Sequence, residues 1–345
     1  MDKTYKTFAG IQLLRYFAAL LVVVTHATGS FSEKILGLGA GQYWFLGMSG
    51  VDIFFVISGF VMAATAEKFQ TNNNGCKEFA LRRIIRVVPL YWGATSVKVA
   101  LAIILPSLAV HSKLDITYII SCYLFIPSLN ADNEYLPILT VGWTLIYEMF
   151  FYLMISIALF LGFNVLKFVA TVFSLLSLLT LLKQDNSLAI FYFTNPIVLE
   201  FCYGMLVFLI VKRYIEQLQG WGCILIAIGV LSLFFIDINS AQLGLRFIYW
   251  GIPASMIVLG VALTEEFFRT KLLSKISYLG DTSYSLYLLH PFIIPFVMLV
   301  IGKFNLALMP MAVMACIVIS SGVAIFSYEK IEKPITKYLN DLTRR

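Results

Sequence analysis

Two ionisable residues, Arg15 and His26, lie eleven positions apart inside one apolar segment near the start of the chain. Eleven residues make about three turns of an α-helix, so both side chains leave the same face, roughly 16 Å apart along the axis. An ionisable group is costly inside a bilayer, and its presence there usually marks a functional site. The same-face pair of ionisable side chains therefore predicts a functional site on this helix.

Two carboxylates are predicted at the depth of His26. Asp52 lies in the outer third of the second apolar segment, and Glu148 lies just below the outer end of another. We expect such a carboxylate to orient the imidazole and to stabilise its protonated form. The alternative is that these polar side chains only form hydrogen bonds between helices and hold a bundle together, an interpretation that also covers Glu200, Arg246 and His290.

A basic cluster, Arg82, Arg83 and Arg86, precedes Pro89 and leads into a third apolar segment. One interpretation is an anchor on the cytoplasmic side that contacts lipid phosphates. The other is a site for a phosphorylated cytosolic ligand, because the guanidinium fork pairs with two phosphate oxygens at once. The spacing favours neither interpretation over the other.

The composition determines the class of protein that must position these residues. Of 345 residues, 60% are hydrophobic and only 13% are charged, which indicates an integral membrane protein without a separate soluble domain. We expect one transmembrane domain over residues 1–345. The first segment is retained as a helix and not as a cleaved signal peptide, because Arg15 and His26 interrupt it. The five cysteines have no metal-ligand or redox spacing, so no metal site is predicted.

The apolar segments predict an all-α polytopic fold with about ten transmembrane helices. Most of the 25 Lys and Arg residues fall in loops and tails on one side, which places both termini in the cytoplasm. The same distribution explains the net charge of +6, so no nucleic-acid partner is expected. An additional stretch, 116–126, is too short to span and is expected to be interfacial or re-entrant. The predicted spans are 8–28, 45–66, 87–110, 141–162, 165–183, 196–212, 220–236, 244–264, 277–302 and 306–328.

Five short motifs occur in an order that resembles the acyltransferase-3 family of membrane acyltransferases, especially members that O-acetylate exopolysaccharides and lipopolysaccharide O-antigens. The resemblance covers nearly the whole chain. Its motifs are Arg15 with His26, the run Gly50 to Phe60, Arg82-Arg83-Ile84-Ile85-Arg86 before Pro89, Gly142-Trp143-Thr144-Leu145-Ile146-Tyr147-Glu148, and Ser283-Tyr284-Ser285-Leu286-Tyr287-Leu288-Leu289-His290-Pro291.

The resemblance implies transfer of an acyl group, usually acetyl from cytosolic acetyl-CoA, to a hydroxyl of a cell-surface or lipid-linked saccharide on the outer face of a bacterial inner membrane. Acyl-CoA, a saccharide and membrane lipid are the expected partners, with acetyl-CoA as co-substrate and no tightly bound cofactor. Larger family members carry a periplasmic hydrolase-like domain after the tenth helix, and this chain is expected to act without one. The resemblance implies that His26 and Glu148 are catalytic and that Arg15, Arg82, Arg83 and Arg86 bind the donor. The depth of Asp52 places it with the catalytic residues, and the candidate residues for the lining of the site are Trp143, Tyr147, Tyr287 and His290.

A glycolipid or polysaccharide transporter is the alternative function, in which the intramembrane charges line a pathway and perform no chemistry. It predicts inverted repeats and paired broken helices, and neither is visible in the sequence. For the enzyme, two mechanisms stay open. His26 either removes the proton of the sugar hydroxyl or is itself acylated in a two-step relay.

Overall fold

Apolar segments of the chain fold as helices, which satisfy the backbone hydrogen bonds that a bilayer leaves unpaired. The computed structural model describes residues 8–38, 44–72, 74–105, 114–180, 189–236, 244–303 and 308–343, and the regular structure there is helical throughout. The α-helices are α1 Ala9–Lys34, α2 Ser49–Gln70, α3 Gly75–Ile104, α4 Ile116–Tyr123, α5 Trp143–Phe160, α6 Val165–Leu179, α7 Leu199–Leu218, α8 Gly222–Leu233, α9 Arg246–Tyr249, α10 Gly251–Leu263, α11 Glu265–Phe268, α12 Lys271–Ile276, α13 Ser283–Lys303, α14 Met309–Ser327 and α15 Lys333–Thr343.

The all-α, multi-pass prediction is confirmed. Seven helical stretches of the described residues are long and apolar enough to cross a membrane. Short 3₁₀ or π-helical segments extend some of them beyond the α-helices. The seven stretches are Ala9–Lys34, Phe45–Gln70, Gly75–Ile104, Thr140–Phe160, Arg246–Leu263, Ser277–Gly302 and Met309–Thr343.

The predicted number of ten spans is not confirmed. The three remaining predicted spans correspond to α6, α7 and α8. Helix α6 has 15 residues and α8 has 12, fewer than the roughly 20 that a perpendicular span needs. Helix α7 has 20 residues but carries Glu200, Lys212, Arg213 and Glu216. The short stretch 116–126 forms α4, an eight-residue helix capped by the carboxylate of Asp115.

Helix α3 begins at Gly75, twelve residues before the predicted span, and continues through Pro89. The basic cluster therefore lies within the helix and not ahead of it. Arginine is a good helix former, so a charged stretch need not end a helix that continues into an apolar one. Phe79 and Ile85 are buried along this first part of α3 and tie it to the core.

The chain divides into two compact units, and each is described by itself. Unit 1 contains Met1–Met62 and Glu200–Tyr328, and unit 2 contains Ala63–Leu199 and Glu329–Arg345. The composition predicts one transmembrane domain over residues 1–345, and that stays a prediction.

In unit 1, helix α1 packs against α13 and α14. Val23, Phe31, Leu286 and Met298 are among the buried side chains of this core. The first turn of α1 is fixed by Glu265, whose two carboxylate oxygens accept hydrogen bonds from the backbone N–H groups of Ala9 (2.7 Å) and Gly10 (3.0 Å). The helix that carries Arg15 and His26 is thus held at its start and along its length.

Helices α2 and α7 of unit 1 approach each other backbone to backbone at two glycines. A Cβ at Gly59 would overlap the carbonyl oxygen of Phe201, and a Cβ at Gly204 would overlap that of Val56. Small residues permit this close approach of membrane helices. The contact places the first turn of α7 beside α2.

In unit 2, α3 packs against α5, and α4 packs against α3. Tyr118 and Cys122 of α4 are buried with Ala102 and Ile138. Helix α15 also contacts α3. These contacts bring the basic cluster of α3 and Glu148 of α5 into one unit.

Candidate functional site

Helix α1, with 26 residues, carries both Arg15 and His26. Their spacing of about three helical turns places them on one face. His26 is exposed, whereas His290 on α13 is completely buried. Nδ1 of His26 lies 2.8 Å from Nε2 of His290, and the ring centroids are 5.0 Å apart. This is hydrogen-bond distance, so an exposed imidazole is held from its buried side by a second imidazole.

The surroundings of His290 come from its own helix and from α2. Nδ1 of His290 lies 3.2 Å from the carbonyl oxygen of Leu286. The ring of Tyr287 is 6.0 Å from that of His290 and meets Phe54 of α2 edge to face at 5.8 Å. Of the two residues predicted to line the site, His290 therefore lies next to His26, and Tyr287 lies next to His290.

Asp52 on α2 is completely buried and is paired with a guanidinium. Nε of Arg246 donates to Oδ1 at 2.8 Å, and a second Arg246 nitrogen donates to Oδ2 at 2.7 Å. Arg246 also donates to the carbonyl oxygen of Met48 and lies over the ring of Trp250. The planar guanidinium fork thus donates to both carboxylate oxygens. That Asp52 orients His26 stays a prediction. That Arg246 pairs with an acid was one of the sequence hypotheses.

Glu200, in the first turn of α7, is also completely buried. Neither of its carboxylate oxygens accepts a hydrogen bond from a donor among the described residues. Its charged neighbours are Asp52 and Arg246, and its carboxyl group lies within hydrogen-bond reach of the Asp52 carboxylate. Because Arg246 already neutralises Asp52, a second ionised carboxylate would be costly at this position.

Arg15 lies half-buried, one helical turn after Gln12, and donates to its side-chain oxygen at 3.2 Å. Its predicted part in donor binding stays a prediction.

In unit 2, Arg83 lies between aromatic rings. Its guanidinium carbon is 5.6 Å from the ring centroid of Phe79 and 5.9 Å from that of Tyr152. The Tyr152 hydroxyl donates to Glu148, and Glu148 and Arg86 are electrostatic neighbours of Arg83. The Nε of Arg83 is buried and has no hydrogen-bond partner in the described part of the chain. The site thus combines a cation, an acid and an unused donor.

Glu148 and Arg83 are predicted at separate sites and different depths, whereas the contacts of Tyr152 bring them together. Helix α5 carries Glu148 and Tyr152 one turn apart, and Tyr152 reaches both Arg83 and Phe79 on α3. A residue's position along its own helix does not show which residues of a neighbouring helix its side chain can reach. Tyr152 was missed, although its spacing of four residues from Glu148 is the signal for a contact on one helix face.

The other members of the basic cluster differ in their contacts. Arg82 is exposed, forms an ion pair with Glu78 one turn earlier and lies over the ring of Phe69. Arg86 is half-buried.

Trp143 and Tyr147, also predicted to line the site, form an aromatic cluster in unit 2. Tyr147 stacks on Tyr192 with ring centroids 4.5 Å apart and donates to the Tyr192 carbonyl oxygen at 2.9 Å. The Tyr192 hydroxyl in turn donates to the carbonyl oxygen of Trp143. This cluster supports the start of α5.

The predicted site residues therefore divide between the units. Unit 1 contains Arg15, His26, Asp52, Tyr287 and His290. Unit 2 contains Arg82, Arg83, Arg86, Trp143, Tyr147 and Glu148. The expected layer of His26, Asp52 and Glu148 stays a prediction. The pairing of His26 with His290 was not foreseen.

Comparisons with known proteins agree with the motifs. The Acyl_transf_3 family, described as an acyltransferase domain, matches residues 8–328. The exopolysaccharide production protein ExoZ of Rhizobium meliloti (strain 1021) is 31% identical over 312 residues, which are 86% of this chain and 92% of ExoZ. The O-acetyltransferase OatA of Staphylococcus aureus (strain NCTC 8325 / PS 47) is 26% identical over 371 residues, which are 98% of this chain and 59% of OatA. No solved structure matches.

The family match spans nearly the whole chain and both units, and it includes every predicted site residue. The ExoZ relative is similar over almost its full length. The chain therefore belongs to the Acyl_transf_3 family of acyltransferases.

Proposed function

We propose that this protein is a membrane O-acyltransferase that transfers an acetyl group from cytosolic acetyl-CoA to a hydroxyl of a cell-surface or lipid-linked saccharide. The acceptor would lie on the outer face of a bacterial inner membrane. One observation carries the proposal: the exposed imidazole of His26 is hydrogen-bonded to the buried imidazole of His290. The names of the relatives, an exopolysaccharide production protein and an O-acetyltransferase, support the saccharide and the acetyl group.

In the proposed reaction, His26 removes the proton of the acceptor hydroxyl as its oxygen attacks the thioester carbonyl carbon. The carbon–sulfur bond then breaks, the saccharide keeps the acetyl group as an ester, and the proton passes to the coenzyme A thiolate. A relay through acetylated His26 would give the same products in two steps.

We assign donor binding to Arg83 and Arg86, with Arg15 as a further cationic group. Coenzyme A carries phosphates, and Arg83 has a buried Nε that no described residue occupies. Glu148 is assigned to the donor side, because its described neighbours are Tyr152 and Arg83. Asp52 is assigned to positioning, since Arg246 occupies both of its oxygens.

Mass spectrometry of the surface glycans tests the proposal. Deletion of the gene should remove the acetyl ester while leaving the glycan itself, and wild-type protein should restore the ester whereas His26→Ala should not. The transporter alternative predicts loss of the whole glycan from the surface, and family membership does not favour it. Loss of the glycan, or full acetylation with a stably produced His26→Ala variant, would contradict the proposal.

The proposed sidedness has both termini in the cytoplasm and ten spans, supported by the distribution of Lys and Arg residues. Glu33 near the end of α1 and Asn74 before α3 are both exposed. In a background without the five native cysteines, Glu33→Cys should react with an impermeant thiol reagent on intact spheroplasts, and Asn74→Cys only after lysis. The reverse pattern would contradict an outward-facing His26.

A further inference from the structure

We infer that His290 is a positioning residue that holds His26 in the tautomer protonated at Nδ1, so that Nε2 of His26 is the nitrogen that accepts the proton. This inference rests on the proposed function for the role of His26 in acyl transfer. The inference about structure itself concerns only which ring nitrogen carries the hydrogen in His26 and in His290.

The contact between the two rings requires one donor and one acceptor. Nδ1 of His26 and Nε2 of His290 are 2.8 Å apart. A neutral imidazole carries a hydrogen on one nitrogen and a lone pair on the other. Exactly one of the two facing nitrogens must therefore carry a hydrogen, and the second nitrogen of each ring decides which one.

The second nitrogen of His290 faces a carbonyl acceptor. Its Nδ1 lies 3.2 Å from the carbonyl oxygen of Leu286. A carbonyl oxygen accepts and never donates, so Nδ1 of His290 carries the hydrogen. A second proton would create a cation where water has no access, because His290 is completely buried. Nε2 of His290 is thus the acceptor.

The consequence for His26 follows directly. Because Nε2 of His290 accepts, Nδ1 of His26 must donate, and the lone pair of His26 lies on Nε2. The ring of His26 is exposed, whereas its Nδ1 is turned to the buried partner. When Nε2 takes the hydroxyl proton, the Nδ1–H to His290 hydrogen bond stabilises the imidazolium until the proton passes to the thiolate. His290 touches His26 and acts through it.

The chain contains only three histidines, which makes the protonated nitrogen directly measurable. A long-range ¹H–¹⁵N spectrum of the ¹⁵N-histidine-labelled full-length protein in nanodiscs resolves tautomers. His111→Gln simplifies the spectrum and His26→Gln assigns it. We expect both His26 and His290 of the otherwise wild-type protein to be protonated at Nδ1. A His26 ring protonated at Nε2 would overturn the inference.

Two substitutions of His290 separate positioning from packing. His290→Gln keeps an amide oxygen that can accept from His26, whereas His290→Leu fills the space without an acceptor. We expect His290→Leu to shift His26 toward the Nε2-protonated tautomer and to lower kcat at least about tenfold with little change in KM, because a wrong tautomer removes the base. His290→Gln should restore the wild-type tautomer and most of kcat.

The outcomes are distinguishable from failure of the proposed function. If the wild-type protein transfers no acetyl group, the function fails while the spectrum still decides the tautomer. If a folded His290→Leu variant keeps the wild-type tautomer, or if folded His290→Gln is as slow as His290→Leu, His290 only packs and the inference fails. Should His290→Leu not fold, the wild-type spectrum and His290→Gln decide alone.

Discussion

The two units use buried charge in different ways. In unit 1, Arg246 donates to both oxygens of Asp52, and His290 is completely buried in contact with His26. In unit 2, Arg83 lies against the faces of Phe79 and Tyr152, and its Nε has no hydrogen-bond partner among the described residues. The Asp52–Arg246 and His26–His290 pairs of unit 1 are each satisfied by their own partner, whereas the guanidinium of Arg83 in unit 2 retains a hydrogen-bond donor.

This difference indicates that the two units have different functions. Groups that satisfy one another fix a geometry, which a general base requires. A guanidinium with an unused donor can bind an anion that arrives from outside. Changes in unit 1 should therefore affect turnover or folding, and changes in unit 2 should affect donor binding.

The largest effect is expected from His26→Ala, which removes the proposed base. A positioned general base contributes about 10²- to 10⁴-fold, so kcat should fall at least about a hundredfold while the variant inserts and purifies like wild type. His111→Ala, a histidine outside the described residues, serves as the matched control. The measurement is steady-state acetyl transfer by purified protein in nanodiscs. Near-normal turnover by the His26 variant would remove unit 1 from the chemistry.

The next effect concerns folding and tests whether the charges of unit 1 satisfy one another. Asp52→Asn leaves Arg246 buried without its counter-ion, which should cost about 3–5 kcal/mol of unfolding free energy. Glu200→Gln is the control, because Glu200 lies in the same cluster but accepts no hydrogen bond from Arg246 in the described structure. Thermal unfolding in detergent should show a much larger drop for Asp52→Asn. Equal losses would mean that Arg246 serves both acids as an ion pair.

A smaller effect is expected from Arg83→Gln in unit 2. Loss of one charge-assisted hydrogen bond, worth about 1.5–3 kcal/mol, should weaken acetyl-CoA binding about ten- to hundredfold and leave kcat nearly unchanged. Added salt should weaken wild-type binding in the same direction. Lys167→Gln, an exposed lysine of unit 2, is the control for net charge. An unchanged dissociation constant for Arg83→Gln would favour contact with lipid phosphates over donor binding.

The smallest effect is expected from Glu148→Gln. The amide keeps an oxygen for the Tyr152 hydroxyl but loses the negative charge near Arg83. The affinity for the anionic donor should rise by a few-fold at most, with kcat close to wild type, since a like charge is removed. Titration calorimetry with acetyl-CoA and steady-state kinetics measure the two quantities. A loss of turnover as large as that of His26→Ala would return Glu148 to the chemistry beside His26.

The sequence predicted those features that depend on one helix at a time. The helical repeat alone predicts that Arg15 and His26 share one face. The position of Asp52 and Glu200 in apolar segments alone predicts that these acids lie inside the bundle. The helix that begins at Gly75 was predicted too short, because hydropathy locates the apolar part of a helix and not its ends.

Features that depend on two helices were harder to predict. The contact between His26 and His290 joins residues 264 positions apart, and a depth estimate says nothing about which way each helix is rotated. The pairing of Asp52 with Arg246 was nearer to prediction, because a buried arginine almost always needs an acid at its own depth. Tyr152 is one of many aromatic residues in the sequence, and only the packing of α3 against α5 shows that it joins Arg83 to Glu148.

The close approach of α2 and α7 has a consequence for mutational screening. At Gly59 and Gly204, even one added methyl group meets a carbonyl oxygen of the other helix. A library scored only by acetylation should therefore rank both glycines with His26, although neither belongs to the reacting groups. Measuring the abundance of each variant in the membrane separates the two classes, because the glycine variants should disappear from the membrane while inactive His26 variants accumulate normally. Intolerance to substitution in this fold thus reports tight space as well as chemistry.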